Sequence, residues 1–83
     1  MAPKAKPTPE QLKQFQETLN RSESDLGNAK VAYFSRTDYK GEAVSGERLR
    51  QYAQAYVDAN HAYQRALYGK IRVRLDVSRL LRE

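Results

Sequence analysis

"GKIRVRLDVSRLLRE", residues 69–83, allows two structures that would give this chain different architectures. Residues 71–77 alternate apolar and polar side chains, as a half-buried strand does, but Leu80 and Leu81 break the alternation. The β-branched residues favour a strand, which would pair with "KVAYF" (residues 30–34) or with a second chain. The alternative is a continuation of the helix predicted before it.

The residues before Gly69 favour the helix. Apolar residues there recur three and four apart, which places them on one helical face. Ile71, Val77 and Leu81 keep the phase of that stripe across the glycine, and a strand would have no reason to keep it. The pattern therefore predicts one helix over residues 47–82. Its stripe begins with Leu49, Tyr52, Ala53, Tyr56, Ala59, Tyr63 and Leu67.

A second amphipathic pattern precedes this one. Thr8 is a candidate N-cap, Pro9 suits the first helical position, and Gln11 stands where a capping box requires Glu or Gln. These signals predict a helix over residues 9–36, followed by a Gly-, Asp- and Ser-containing loop over residues 37–46. The apolar stripe of this helix comprises Leu12, Phe15, Leu19, Leu26, Ala29 and Tyr33.

The predicted fold class is all-α, an antiparallel two-helix hairpin with a longer second helix. Residues 1–8, rich in Pro, Ala and Lys, are expected to form a disordered basic tail. At ~1.5 Å per residue, the first helix would end opposite residue 74 of the second. The apolar stripe beyond that point would lack an intramolecular partner, so we expect pairing into a four-helix bundle or a similar assembly.

The composition excludes several classes of protein. The chain of 83 residues has no Cys, so it contains no disulfide and no thiolate nucleophile. No run approaches the roughly 20 apolar residues of a membrane span. The N-terminal "MAPKAKPTPE" lacks the apolar region of a Sec-type signal. We expect a cytoplasmic protein, with export without a cleaved signal as the alternative.

The polar residues do not assemble into a catalytic or metal-binding pattern. His61 is the single histidine, and with Asp58 it supplies two ligands, which is fewer than a zinc site needs. No Ser-His-Asp order, phosphate-binding Gly-rich loop or paired-carboxylate motif is found. The expected protein is not an enzyme and uses no cofactor, metal or small-molecule substrate.

The predicted function is therefore binding by a non-enzymatic helical module. It would form a homodimer or dock on a helical protein partner through the C-terminal half of its second helix. Alternating Tyr and Ala residues would let helices approach closely. Arg74 would either extend its charge to solvent or meet a carboxylate of the partner. The predicted partner interface comprises Tyr52, Tyr56, Tyr63, Leu67, Ile71, Arg74, Val77 and Leu81.

A small basic nucleic-acid-binding protein is the alternative. The net charge is +5, and the excess of basic residues is concentrated at the two ends of the chain. Arginines seven residues apart would form one ridge on a continuous helix, where they could contact phosphates or only be solvated. The candidate phosphate contacts are Lys4, Lys6, Arg65, Arg72 and Arg79.

In its plan the chain also resembles type III secretion needle subunits. The resemblance lies in the length, the helical hairpin and a Tyr-bearing second helix that runs to the last residues. It implies a polymerising subunit whose carboxy-terminal helix mediates assembly. That family typically has a proline-bearing turn, whereas "DYKGEAVSGE" contains no proline. The residues that carry the resemblance are Tyr52, Tyr63, Ile71, Val73, Val77 and Leu81.

Overall fold

A computed structural model describes residues 6–82 and shows a helical hairpin, which confirms the predicted all-α class. Two long helices pack against each other, and a very small two-stranded sheet joins them. No helix within residues 6–82 is both long and apolar enough to cross a membrane. The elements in chain order are α1 (Pro9–Ser35), β1 (Asp38–Tyr39), β2 (Glu42–Ala43), α2 (Gly46–Tyr68) and α3 (Val77–Leu80).

The start of α1 follows the predicted capping box. The Gln11 backbone N–H donates to Thr8 Oγ1 at 3.1 Å, and the Thr8 N–H donates to Gln11 Oε1 at 3.0 Å. Pro9 occupies the first turn, where its missing N–H costs nothing. The helix ends at Ser35 because Arg36 adopts a left-handed conformation with φ 54°. Of the predicted tail, residues 1–5 lie outside the described residues, and residues 6–8 precede α1 without regular structure.

The predicted loop over residues 37–46 contains a tight hairpin that the sequence pattern did not indicate. Asp38 pairs with Ala43 and Tyr39 with Glu42. The two residues between the strands, Lys40 and Gly41, have φ values of 55° and 76°. Positive φ at both central positions is the requirement of a type I′ turn, in which glycine is favoured.

The core lies at the hairpin end of the molecule and is small. Leu26 and Ala29 of α1 pack against Leu49 and Ala53 of α2 in one buried cluster. Two of these four residues are alanines, so the helices approach closely but bury little apolar volume. Larger side chains only partly buried surround the cluster: Tyr39, Val44, Tyr52, Tyr56, Val77, Leu80 and Leu81.

The predicted helix over residues 47–82 is wrong beyond Tyr68. Gly69 takes a left-handed conformation with φ 77°, and its N–H donates to the Arg65 carbonyl at 2.8 Å. This is a glycine C-terminal cap, which ends a helix at low steric cost. The prediction that the second helix is the longer one is wrong for the same reason, since α1 has 27 residues and α2 has 23.

After Gly69 the chain turns back along the hairpin, and we call residues 70–82 the return segment. Val77, Leu80 and Leu81 pack against the core cluster of the two long helices. The Lys30 ammonium donates to the Leu80 carbonyl at 2.8 Å, which ties the segment to α1. The expected apolar overhang is therefore wrong, because the chain's own hairpin covers that surface.

Candidate functional site

Gln64 holds the first part of the return segment. Its side chain is buried, with 8% exposure. The amide oxygen accepts from the backbone N–H groups of Arg72 and Val73, each at 2.8 Å, and the amide nitrogen donates to the Val73 carbonyl at 2.7 Å. The same nitrogen donates to the Asn60 side-chain oxygen. One glutamine thus satisfies three backbone groups that a helix would otherwise have paired.

His61 holds the next part, one turn earlier on α2. Its Nε2 accepts from the Leu75 N–H at 2.9 Å, which requires a neutral imidazole with its proton on Nδ1. His61 is 9% exposed, so this acceptor is largely withheld from water. The sequence patterns assigned no structural role to His61 or Gln64. The signal that could have identified them is Gly69, because a glycine after the last apolar position of a stripe is a candidate helix end, and polar side chains in the turns before it are then placed to bond the chain that follows.

These contacts shape an open groove of about 530 Å³ at the end of the molecule remote from the core. We call it the distal groove. Its walls come from α1, from the last turns of α2 and from the return segment. Val73 is 63% exposed, and Leu67 and Tyr68 are also exposed, so apolar surface faces solvent here. The lining residues are Leu19, Asn60, Tyr63, Gln64, Leu67, Tyr68, Arg72, Val73 and Leu75.

The chain that forms most of the groove is basic. Residues 59–75 contain no Asp or Glu and carry four Lys or Arg residues. The Arg72 guanidinium lies 4.9 Å from the centroid of the Tyr68 ring, a cation–π contact that covers one face of the ring. Within residues 6–82, the ion pairs join other residues, Lys40 with Asp25 and Arg48 with Glu42. The basic residues, all exposed, are Arg65, Lys70, Arg72 and Arg74.

The structure divides the predicted partner interface among three places. Tyr63 and Leu67 line the distal groove, and the groove adds residues that were not predicted to lie together, such as Leu19 and Leu75. Ile71 is half-buried and Arg74 is exposed at the start of the return segment. The remaining predicted residues are partly buried against the core cluster: Tyr52, Tyr56, Val77 and Leu81.

The predicted arginine ridge is not formed. Arg65 lies on α2, Arg72 in the irregular part of the return segment, and Arg79 on α3. Their seven-residue spacing aligns them only on a continuous helix, which ends before Arg72. Lys4 lies outside the described residues, and Lys6 is exposed ahead of α1.

The titratable groups with shifted pKa values lie away from the distal groove, near the β1–β2 hairpin and between the two long helices. The Tyr39 hydroxyl donates to Asp25 Oδ1 at 2.7 Å, which lowers the pKa of Asp25. That carboxylate also raises the pKa of Lys40. Burial raises the pKa of Tyr56. Within residues 6–82, no three His, Asp or Glu side chains are grouped so that they could hold a metal ion.

Fold and site together define a small helical hairpin with a folded-back C-terminal segment and an open, basic-rimmed apolar groove. Comparisons of the chain with protein-family models, with curated proteins and with solved structures find no match.

Proposed function

We propose that this protein is a non-enzymatic docking module whose distal groove binds an acidic, apolar segment of a partner protein. One observation carries the proposal: exposed apolar side chains line a groove, and the basic residues beside it have no carboxylate partner among residues 6–82. Binding a partner that covers this apolar surface lowers the free energy, because the surface is removed from water.

The apolar lining supports a protein partner over a nucleic acid. Leu19, Leu67 and Leu75 line the groove. An apolar side chain of a protein partner can pack on these leucines, whereas a charged phosphate would lose its hydration there without a compensating hydrogen bond. Stacking of a base would need a free aromatic face. Arg72 already covers one face of Tyr68. A short amphipathic helix with Leu and Glu on the docked side meets both the apolar and the basic requirement.

The charge supports a different protein rather than a second copy of the same groove. Two grooves placed face to face would bring together eight basic side chains, four from each copy, and like charges at an interface are unfavourable. Homodimerisation through the C-terminal half of the second helix was predicted from an apolar overhang, and that overhang is not formed, because Val77, Leu80 and Leu81 pack against the chain's own core cluster. The polymerising-subunit alternative loses its basis too, since α2 ends at Tyr68. The cytoplasmic location stays a prediction.

The test is the binding of a synthetic peptide, an acidic amphipathic helix bearing a fluorophore, measured by anisotropy. Leu67→Ser removes apolar surface and Arg74→Glu reverses a charge beside the groove. Each is expected to weaken binding about tenfold, which corresponds to about 1.4 kcal/mol. The matched control is Ala55→Glu, an exposed position on the same helix outside the groove, which should leave the affinity unchanged.

Duplex DNA at low and at physiological salt provides the competing experiment. If DNA displaces the peptide with a steep salt dependence and Leu67→Ser changes nothing, the surface binds polyanions by charge alone. That result, or wild-type affinity in Leu67→Ser, would overturn the proposal. Loss of peptide binding in Leu67→Ser, with helicity retained in the far-ultraviolet circular dichroism spectrum, would support it.

A further inference from the structure

His61 is the one histidine of the chain, and the structure buries it at a backbone contact. Its side chain is 9% exposed, and its Nε2 accepts from the Leu75 N–H at 2.9 Å. Histidine is the side chain whose ordinary titration falls between pH 5 and 8. The contact between α2 and the return segment therefore depends on a protonation state that changes within that range.

Protonation of His61 removes the acceptor. Both ring nitrogens of an imidazolium carry a proton and donate, so neither accepts from the Leu75 N–H, whichever way the ring is turned. The added proton would point at the N–H group that it now opposes. A buried N–H without an acceptor and a charge withheld from water are both unfavourable. The observed contact thus requires the neutral ring.

The charged groups around this contact do not offset that loss. They lie one turn from His61 on α2, next to Leu75 in the return segment, and one turn from the groove residue Leu19 on α1: Asp58, Arg65, Arg74, Asp76 and Glu23. Asp58 accepts from Gln54, and Asp76 accepts from the Ser78 N–H. Within residues 6–82 no carboxylate forms an ion pair with His61, so none favours the protonated ring in this arrangement.

Leu75 lies between two parts of the return segment that are held independently of His61. Before it, Gln64 binds the backbone of Arg72 and Val73. After it, α3 begins at Val77, which packs against the core cluster. Among residues 6–82, the His61 contact is the one hydrogen bond that ties residues 74–76 to α2. Loss of this bond would free a short stretch and leave both flanking parts attached.

We propose that His61 makes the distal groove sensitive to pH: protonation of its imidazole in mild acid releases residues 74–76 from α2 and displaces Leu75 from the groove wall. Leu75 is one of the groove's lining residues, so the opening changes the shape of one wall. The amide of Gln64 and the apolar packing of α3 do not titrate, so the hairpin keeps its fold. The consequence for partner binding rests on the function proposed above, whereas the opening itself does not.

The size of the effect follows from linkage between proton binding and opening. An imidazole in water has a pKa of about 6.5. The closed contact accommodates only the neutral ring, whereas the open arrangement accommodates both forms, so the contact is stable at neutral pH and is lost as the pH falls. Lowering the pH from about 7.5 to about 5.5 therefore raises the equilibrium constant for opening about tenfold.

The test is amide hydrogen exchange of the full chain, followed by NMR at these two pH values. The protection factor compares the exchange rate of an amide with that of an unstructured peptide at the same pH. For the Leu75 amide it should fall about tenfold in acid, with unchanged helicity by circular dichroism. The matched control is His61→Gln, whose side-chain oxygen can accept from the Leu75 N–H but does not titrate. Its Leu75 protection factor should be the same at both pH values.

A second variant carries a permanent charge. His61→Lys has no acceptor at any pH, so its Leu75 amide should lack protection at both pH values. Three results would overturn the proposal: a wild-type Leu75 protection factor that does not change with pH, an equal fall in His61→Gln, or loss of helicity together with the protection. Full protection of Leu75 in His61→Lys would also overturn it.

The acidic peptide separates this proposal from the function proposed for the groove. A peptide that needs the closed wall should, by reciprocal linkage, restore protection of the Leu75 amide at the lower pH. A bound peptide that leaves this protection unchanged would overturn the coupling between the opening and the groove. A peptide that binds at neither pH would contradict the proposed function, while the exchange result would still support the opening controlled by His61.

Discussion

Replacing Gln64 with alanine removes the side chain that fastens the return segment to α2. The variant loses hydrogen bonds to the Arg72 and Val73 N–H groups and to the Val73 carbonyl. A net contribution of about 0.5–1.5 kcal/mol for each of the three bonds gives an upper value of about 4.5 kcal/mol. The backbone of the segment can reach water once released, so the expected cost is about 1–3 kcal/mol.

Such a loss is large for this chain, because small domains are stable by only about 5–15 kcal/mol and its core is small. We expect the return segment to detach before the hairpin unfolds. Hydrogen exchange followed by NMR is the assay. The amides of Arg72, Val73 and Leu75 should exchange faster in Gln64→Ala, while that of Ala53, at a fully buried position, keeps its protection.

Two variants bracket the effect. Gln54→Ala is the matched control, since Gln54 is exposed and donates only to Asp58, one turn away, a pair contributing about 0.2–0.5 kcal/mol. Gln64→Glu keeps an acceptor for two N–H groups but loses the donor to the Val73 carbonyl, so it should fall between alanine and the wild type. A change in the free energy of unfolding of about 0.5 kcal/mol or less is what an exposed residue gives. If Gln64→Ala shows so small a change and its Arg72 and Val73 amides stay protected from exchange, Gln64 does not anchor the return segment.

Two further perturbations follow from the turn and the helix cap. Tyr39→Phe removes the hydrogen bond that lowers the pKa of Asp25. The wild type has this stabilisation above the ordinary Asp pKa of about 3.9 and loses it as the pH falls through the lowered pKa of Asp25. A series of melting curves should therefore show a smaller loss of stability in acid for the variant, and the difference between the two proteins should be about 1 kcal/mol for this half-buried hydrogen bond. Gly69→Ala should cost about 1 kcal/mol in chemical denaturation, because φ is 77° while a Cβ meets no atom within 4 Å; wild-type stability would refute the cap.

Local signals in the sequence were sufficient for the hairpin itself. The capping box at Thr8 needs only residues within one turn, and it forms as predicted. The apolar stripes of both helices meet in the core at Leu26, Ala29, Leu49 and Ala53. These features depend on contacts between neighbours in the chain or on a repeat that any amphipathic helix must show.

The candidate groove was only partly predictable. Tyr63 and Leu67 follow from the stripe of the second helix, whereas Leu19, Val73 and Leu75 join them only because the return segment folds back. The spacing of the arginines was misleading for the same reason. A seven-residue repeat places residues on one face only while the helix continues.

The sequence by itself determined the two amphipathic helices, the start of the first and the loop between them, because short-range caps and helical periodicity are sufficient for each. Only the tertiary structure decided the course of residues 69–82. Their apolar spacing suits a longer helix as well as it suits packing on the hairpin. The choice is made by a left-handed Gly69 together with the buried acceptors of Gln64 and His61, which bond backbone groups eight to fourteen residues along the chain. Periodicity does not record such contacts.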